Sequence, residues 1–85
     1  MFMENTTEIK IKIRKFIIET TYAPDDQVNN NTLIFAQGIF DSMGFISLID
    51  YIESTFAIKA KDSDLIEDNF ESIDAIARFI GRKLN

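Results

Sequence analysis

Three segments of this 85-residue chain place apolar residues three and four positions apart, the spacing of one face of an α-helix. In the first segment, Thr7 to Thr21, that face consists of Ile9, Ile13, Phe16 and Ile17. Ile9, Ile11 and Ile13 also alternate with lysines as they would in a strand, but the apolar residues that follow break the alternation. We therefore predict a helix.

The second periodic segment begins at Asp41 or Ser42 and ends near Thr55, and its apolar face consists of Phe45, Leu48, Ile49, Ile52 and Phe56. Gly44 lies in its first turn, where a glycine is unfavourable for a helix. The last segment follows Ser72, a predicted N-cap, and its apolar face consists of Ile73, Ile76, Ala77, Ile80 and Leu84. A helical bundle is the expected result.

About twenty residues between the first two helices are rich in turn-forming proline, aspartate, asparagine and glycine. Such a long connection has to be packed onto a small domain, and its apolar residues are Leu33, Ile34, Phe35, Ile39 and Phe40. Further on, Leu65 and Ile66 form a short apolar pair among carboxylates, which fits a brief helix or a turn. A chain of this length suffices for one domain, predicted to span residues 1–85.

The chain contains no histidine and no cysteine. Without histidine, hydrolytic triads are excluded in their usual form, and the absence of cysteine fits a reducing compartment. The acidic residues from Asp62 onward do not make a calcium loop, because Glu67 stands where a glycine is needed and Ile73 where the bidentate glutamate belongs. We expect no metal site and no nucleotide-binding glycine loop.

The net charge of −5 is unevenly distributed, since no lysine or arginine lies between Phe16 and Ile58. This acidic segment would repel nucleic acid; it is either a solvated surface or a docking face for basic partners. Residues Met1 to Thr7 lack the basic start of a signal peptide, and no apolar stretch is long enough to span a bilayer. The expectation is a soluble cytoplasmic protein without stable membrane insertion.

Asp41, Ser42 and Met43 lie where the long loop meets the second helix. A serine hydroxyl is exposed at such a junction, and the unpaired N–H groups of a helix start favour an anion. Position alone does not decide between such an attachment point and a helix cap formed by Asp41 or Ser42. The surrounding residues therefore decide the interpretation.

The sequence GIFDSMGFISL at 38–48, followed by Ile52, Glu53 and Phe56, resembles the attachment motif of the acyl carrier protein family. The resemblance continues downstream and covers roughly residues 33 to 84. It implies an all-α four-helix bundle with three longer helices, a short third helix and a long loop between helices one and two.

The resemblance also implies that Ser42 accepts 4′-phosphopantetheine from coenzyme A through a separate phosphopantetheinyl transferase. The thiol of this arm would hold the cargo as a thioester, which suits a chain that has no thiol of its own. Asp41 would help to present the serine. The residues expected to recognise the transferase and other partners, namely acyl- or aminoacyl-activating and transferring enzymes, are Asp41, Met43, Phe45, Ile46, Asp50 and Glu53. The implied protein is a monomeric, free-standing carrier and not an enzyme.

Gly38 and Gly44 make the motif more similar to discrete carriers that serve aminoacyl-activating enzymes, as in D-alanine transfer or nonribosomal peptide assembly, and to specialised acyl carriers. This similarity favours specialised metabolism over fatty acid synthesis. Two alternatives remain open from the residues: an unmodified helical interaction module in which Ser42 is only a cap, and a regulatory subunit that keeps the fold without modification.

Overall fold

Four α-helices build the part of the chain that the computed structural model describes, residues 6–84. They are α1 (Thr6–Thr21), α2 (Ser42–Phe56), α3 (Glu67–Phe70) and α4 (Ile73–Leu84), with 3₁₀ turns at Asp25–Gln27 and Asp62–Asp64. Residues 6–84 contain no strand. The prediction of an all-α bundle with a short third helix and a long first connection is confirmed. Within this range no helix has both the length and the apolar character needed to cross a bilayer.

Helix α1 is amphipathic and buries Ile9, Ile13 and Ile17, one residue on each successive turn. Ile11 would share a face with Ile9 and Ile13 in a strand, but here its side chain is 60% exposed. The helical interpretation of this segment is therefore confirmed.

Helix α4 is the centre of the bundle and packs against each of the other three α-helices. It begins after Ser72, whose Oγ accepts a hydrogen bond from the Ala75 N–H at 3.1 Å, as the predicted cap requires. Most of its circumference is buried, at Ile73, Ala75, Ile76, Ala77, Phe79 and Ile80. The Phe79 ring lies 5.0 Å from the ring of Phe70, centroid to centroid, which fixes the short α3 against α4.

The long loop between α1 and α2 is attached to the bundle by apolar side chains and by its backbone. Ile34 and Phe40 are buried as predicted, and Val28 is buried with them. The prediction for Leu33 is wrong: it is 44% exposed, because Ile34 occupies the inward position of the turn. The Ile34 N–H donates to the carbonyl of Glu71 at 2.9 Å, so the loop is joined to the segment before α4.

Two basic residues of α1 contact the same loop and the start of α4. Arg14 donates to the carbonyl oxygen of Val28, and also to Oδ1 of Asn30 at 3.0 Å. Lys10 forms an ion pair with Asp74 at 2.9 Å, which connects α1 to the first turn of α4. These cations therefore make contacts inside the domain.

Basic residues at the end of α4 contact the connection between α2 and α3 and α3 itself. Lys83 Nζ lies 2.6 Å from Oδ2 of Asp64, and Arg82 donates to Oδ1 of Asn69 at 2.8 Å. The hydrogen bond from Lys83, together with one from the backbone N–H of Lys61, lowers the pKa of the Asp64 carboxyl from its ordinary value of 3.8.

We expect this ion pair to make stability depend on pH. Because the pKa of Asp64 is lowered by folding, its contribution is fully present above the unfolded value and is lost as the pH falls through the folded one. Asp64→Asn should lower the Tm at neutral pH, and the difference from wild type should shrink below about pH 4. Thermal melts across this pH range test the prediction, with Asp62→Asn, in the same 3₁₀ turn, as the control. A Tm difference between wild type and Asp64→Asn that does not change with pH would contradict it.

Candidate functional site

Asp41 forms the N-cap of α2. Its backbone is extended, with φ −113° and ψ −169°, and its Oδ1 accepts a hydrogen bond from the Gly44 N–H at 2.9 Å. Its carbonyl oxygen accepts a second bond from the Phe45 N–H, also at 2.9 Å. The alternative in which Ser42 caps the helix is therefore wrong, because the carboxylate one residue earlier makes the capping bond.

Ser42 is the first residue of α2, and its side chain is exposed. Among residues 6–84 its hydroxyl has no hydrogen-bond partner. The first N–H groups of a helix lack partners within the helix, and its dipole favours negative charge at this end. An exposed, uncommitted hydroxyl at a helix N-terminus fits the attachment of a phosphate-linked group.

Gly44 and Phe40 are two residues of the site whose relation the sequence did not reveal. A Cβ atom on Gly44 would lie 2.4 Å from Cδ1 and 2.9 Å from Cε1 of the Phe40 ring. The ring, 4% exposed, therefore packs against the backbone of the first turn of α2 at a place that only glycine leaves open. The one sequence feature that could have indicated this contact is a glycine four residues after an aromatic residue.

Three of the predicted recognition residues lie on the surface of α2. Met43 is 72% exposed and Ile46 is 57% exposed, while Asp50 follows one turn later and is also exposed. Their spacing of three and four residues places them on one side of the helix. The exposed surface that adjoins Ser42 is therefore apolar first and acidic further along.

Besides Asp41, the N-cap described above, two further predicted recognition residues, Phe45 and Glu53, make contacts within the domain. Phe45 is half-buried, with its ring 5.8 Å from that of Phe35 and 5.3 Å from that of Phe70, centroid to centroid. Glu53 accepts a hydrogen bond at Oε2 from the Ala60 N–H at 2.9 Å, so it holds the chain that leaves α2. In this structure Phe45 packs against other aromatic rings of the domain, and Glu53 makes a hydrogen bond within it.

Two grooves lie beside the first turns of α2. One, of about 390 Å³, is lined mainly by apolar side chains, among them Phe35, Phe45, Leu65, Ile66 and Phe70. The other, of about 350 Å³, lies between the end of α1 and the start of α2 and includes Thr20, Thr21, Asp41, Met43 and Ser47. The start of α2 is therefore open on the side of α1 as well as on the side of α3.

A comparison with known protein families matches residues 11–80 to the family described as phosphopantetheine attachment site. The chain belongs to this family. The match extends from α1 into α4 and includes the whole loop and the start of α2. The resemblance to acyl carrier proteins and the predicted 4′-phosphopantetheine group are thus confirmed, and the role of this phosphopantetheine-family chain is that of a carrier domain. No curated protein matches the chain.

Because Asp41 and not Ser42 caps α2 in this carrier domain, substitutions at these two adjacent residues should change the free energy of unfolding by different amounts. Asp41→Ala should lower the free energy of unfolding by about 1 kcal/mol, because the Gly44 N–H loses its acceptor, and Asp41→Asn should retain most of it. Ser42→Ala should change it by less than about 0.5 kcal/mol. Urea denaturation measures all three variants, and an equal loss for Ser42→Ala and Asp41→Ala would refute the assignment.

Proposed function

We propose that Ser42 carries the 4′-phosphopantetheine arm and that residues 1–85 act as one cytoplasmic carrier domain for an acyl or aminoacyl cargo. The observation that carries the proposal is the exposed Ser42 hydroxyl, which neither caps α2 nor has a hydrogen-bond partner among residues 6–84. When attached, the arm supplies a terminal thiol that holds the cargo as a thioester. The chain itself catalyses no step in this scheme.

Loading Ser42 needs a base, and among residues 6–84 no base is hydrogen-bonded to the Ser42 hydroxyl. The Ser42 oxygen forms a bond to the pantetheine-side phosphorus of coenzyme A, its proton passes to a base, and adenosine 3′,5′-bisphosphate leaves. A serine is a weak nucleophile without an adjacent base, the chain has no histidine, and the Asp41 carboxylate is bonded to the Gly44 N–H. The base therefore belongs to a separate phosphopantetheinyl transferase.

The N-terminus of α2 suits the charge that loading brings. A phosphodiester on Ser42 adds a negative charge where the helix dipole is positive, an effect of about 0.3–1 kcal/mol for an exposed group. The carboxylate of Asp41 lies close by, but its capping bond to the Gly44 N–H places it on the same positive helix end. The arm thus leaves from an end of the helix that tolerates both charges.

We further propose that the transferase contacts Met43 and Ile46, with Asp50 as a secondary contact. Apolar side chains this exposed and this near the acceptor serine bury area when a partner closes over it. The acyl- or aminoacyl-activating and transferring enzymes would use the same side of α2. The glycines at 38 and 44 support a cargo of specialised metabolism, of the kind handled by aminoacyl-activating enzymes.

The attachment predicts a specific change in mass. Incubation of the full chain with coenzyme A and a broad-specificity phosphopantetheinyl transferase should add the mass of one phosphopantetheinyl group. Ser47→Ala, an exposed serine of the same helix, should gain it like wild type, whereas Ser42→Ala should not. Intact-protein mass spectrometry reads the result. No gain on wild type would favour an unmodified interaction module or regulatory subunit instead.

The docking proposal predicts which substitutions weaken loading. Met43→Ser and Ile46→Ser should each raise the KM of the transferase for the carrier severalfold, because apolar contact area is lost. Asp50→Asn should have a smaller effect that fades as salt is added. Ile11→Ser, an equally exposed apolar position on α1, is the control and should leave KM unchanged. A larger effect of Asp50 than of Met43 would show that charge directs docking.

A further inference from the structure

We infer that Phe40 and Gly44 form a positioning pair that holds the Ser42 hydroxyl in place for loading; this inference rests on the proposed attachment to Ser42. Neither residue reacts. Phe40 stands two positions before Ser42 and Gly44 two positions after it, so their contact brackets the serine. The pair thus fixes the backbone on both sides of the acceptor.

Gly44 takes part in two contacts at once. Its N–H donates to Oδ1 of Asp41, the N-cap of α2. Because Gly44 has no side chain, the ring of Phe40 can pack against its backbone. A methyl group at this position would approach three ring atoms, the nearest at 2.4 Å and the farthest at 3.2 Å. The shortest of these contacts is far inside van der Waals distance, so either the ring or the first turn of α2 has to move.

The ring has little freedom to move. It is buried between the rings of Phe16 and Phe35, with centroids 6.4 Å and 6.0 Å away. The backbone that carries it is also held, because the N–H groups of Ile39 and Phe40 both donate to the carbonyl of Ile34, at 2.9 Å and 3.0 Å. Ile34 is in turn bonded to Glu71. The first turn of α2 is the side with more exposed residues and therefore the side that yields.

Displacement of this turn changes where the hydroxyl of Ser42 points. Ser42 and Met43 are both exposed, so little packing of their side chains opposes this displacement. Of the proposed transferase contacts, Met43 lies on the disturbed turn, which accounts for a small rise in KM, whereas Ile46 and Asp50 lie further along α2 and remain available to a partner. The pair should thus affect the transfer step more than docking, since a misplacement of about 1 Å can cost up to 10²-fold in rate.

The test compares kcat and KM of a phosphopantetheinyl transferase on full-length variants, each checked for helicity by circular dichroism. Gly44→Ala should lower kcat by about tenfold or more with a smaller rise in KM. Gly81→Ala is the matched control, because a Cβ in this interior position of α4 meets no atom within 4 Å, and it should load like wild type. Phe40→Leu should also lower kcat, since it leaves the turn without its support.

The double variant Phe40→Leu/Gly44→Ala decides whether the two residues act through each other. The smaller leucine side chain at position 40 makes room for the methyl group that Gly44→Ala introduces. The kcat of the double variant should therefore exceed the value expected if the losses of the two single variants multiplied. Losses that multiply, or a Gly44→Ala variant with wild-type kcat, would overturn the inference while attachment at Ser42 stands. Failure of wild type to load would overturn the proposed attachment and the inference with it. If Gly44→Ala does not fold, Phe40→Leu alone with wild-type kcat contradicts the inference.

Discussion

Burial of the Phe40 ring connects three parts of the molecule that are separate along the chain. The ring contacts Phe16 of α1, Phe35 of the long loop and the backbone of α2 at Gly44. The next residue is Asp41, the cap of α2, so the buried ring lies directly before the start of the helix. A buried aromatic side chain removes on the order of 150–250 Å² from water, enough to order a loop end that lacks regular structure. The presentation of Ser42 follows from this packing.

The helices could be predicted because their apolar spacing is local, whereas several site contacts depend on geometry that spacing does not contain. Asp41 and Ser42 are both good caps, and only the backbone shows that the carboxylate makes the bond. Leu33 and Ile34 are adjacent in a loop without a period, so which of them is buried could not be read from the sequence. Glu53 is a predicted partner-recognition residue, but after the left-handed Ala57, at φ 55°, the chain turns so that the Ala60 N–H donates to the Glu53 carboxylate.

The surface near Ser42 is apolar and acidic because the segment that forms it contains no lysine or arginine. Basic residues near the two ends of the chain make contacts within the domain, as in the pairs Lys10–Asp74 and Lys83–Asp64. The segment between Phe16 and Ile58 has no cation, and its exposed side of α2 presents apolar side chains before an acidic one. The domain therefore presents an exposed hydroxyl at Ser42, and in the proposed scheme the reactive chemistry comes from the arm and from partner enzymes.

The proposed attachment of the arm to Ser42 can be tested by one direct measurement, because the distribution of lysine and arginine sets where trypsin cleaves. Trypsin should release residues 16–59 as a single peptide, because no cleavage site lies between Lys15 and Lys59. Fragmentation of this peptide from the loaded protein should place the added phosphopantetheinyl mass between Asp41 and Met43. The mass found on Ser47, on Ser54 or outside this peptide would contradict the account.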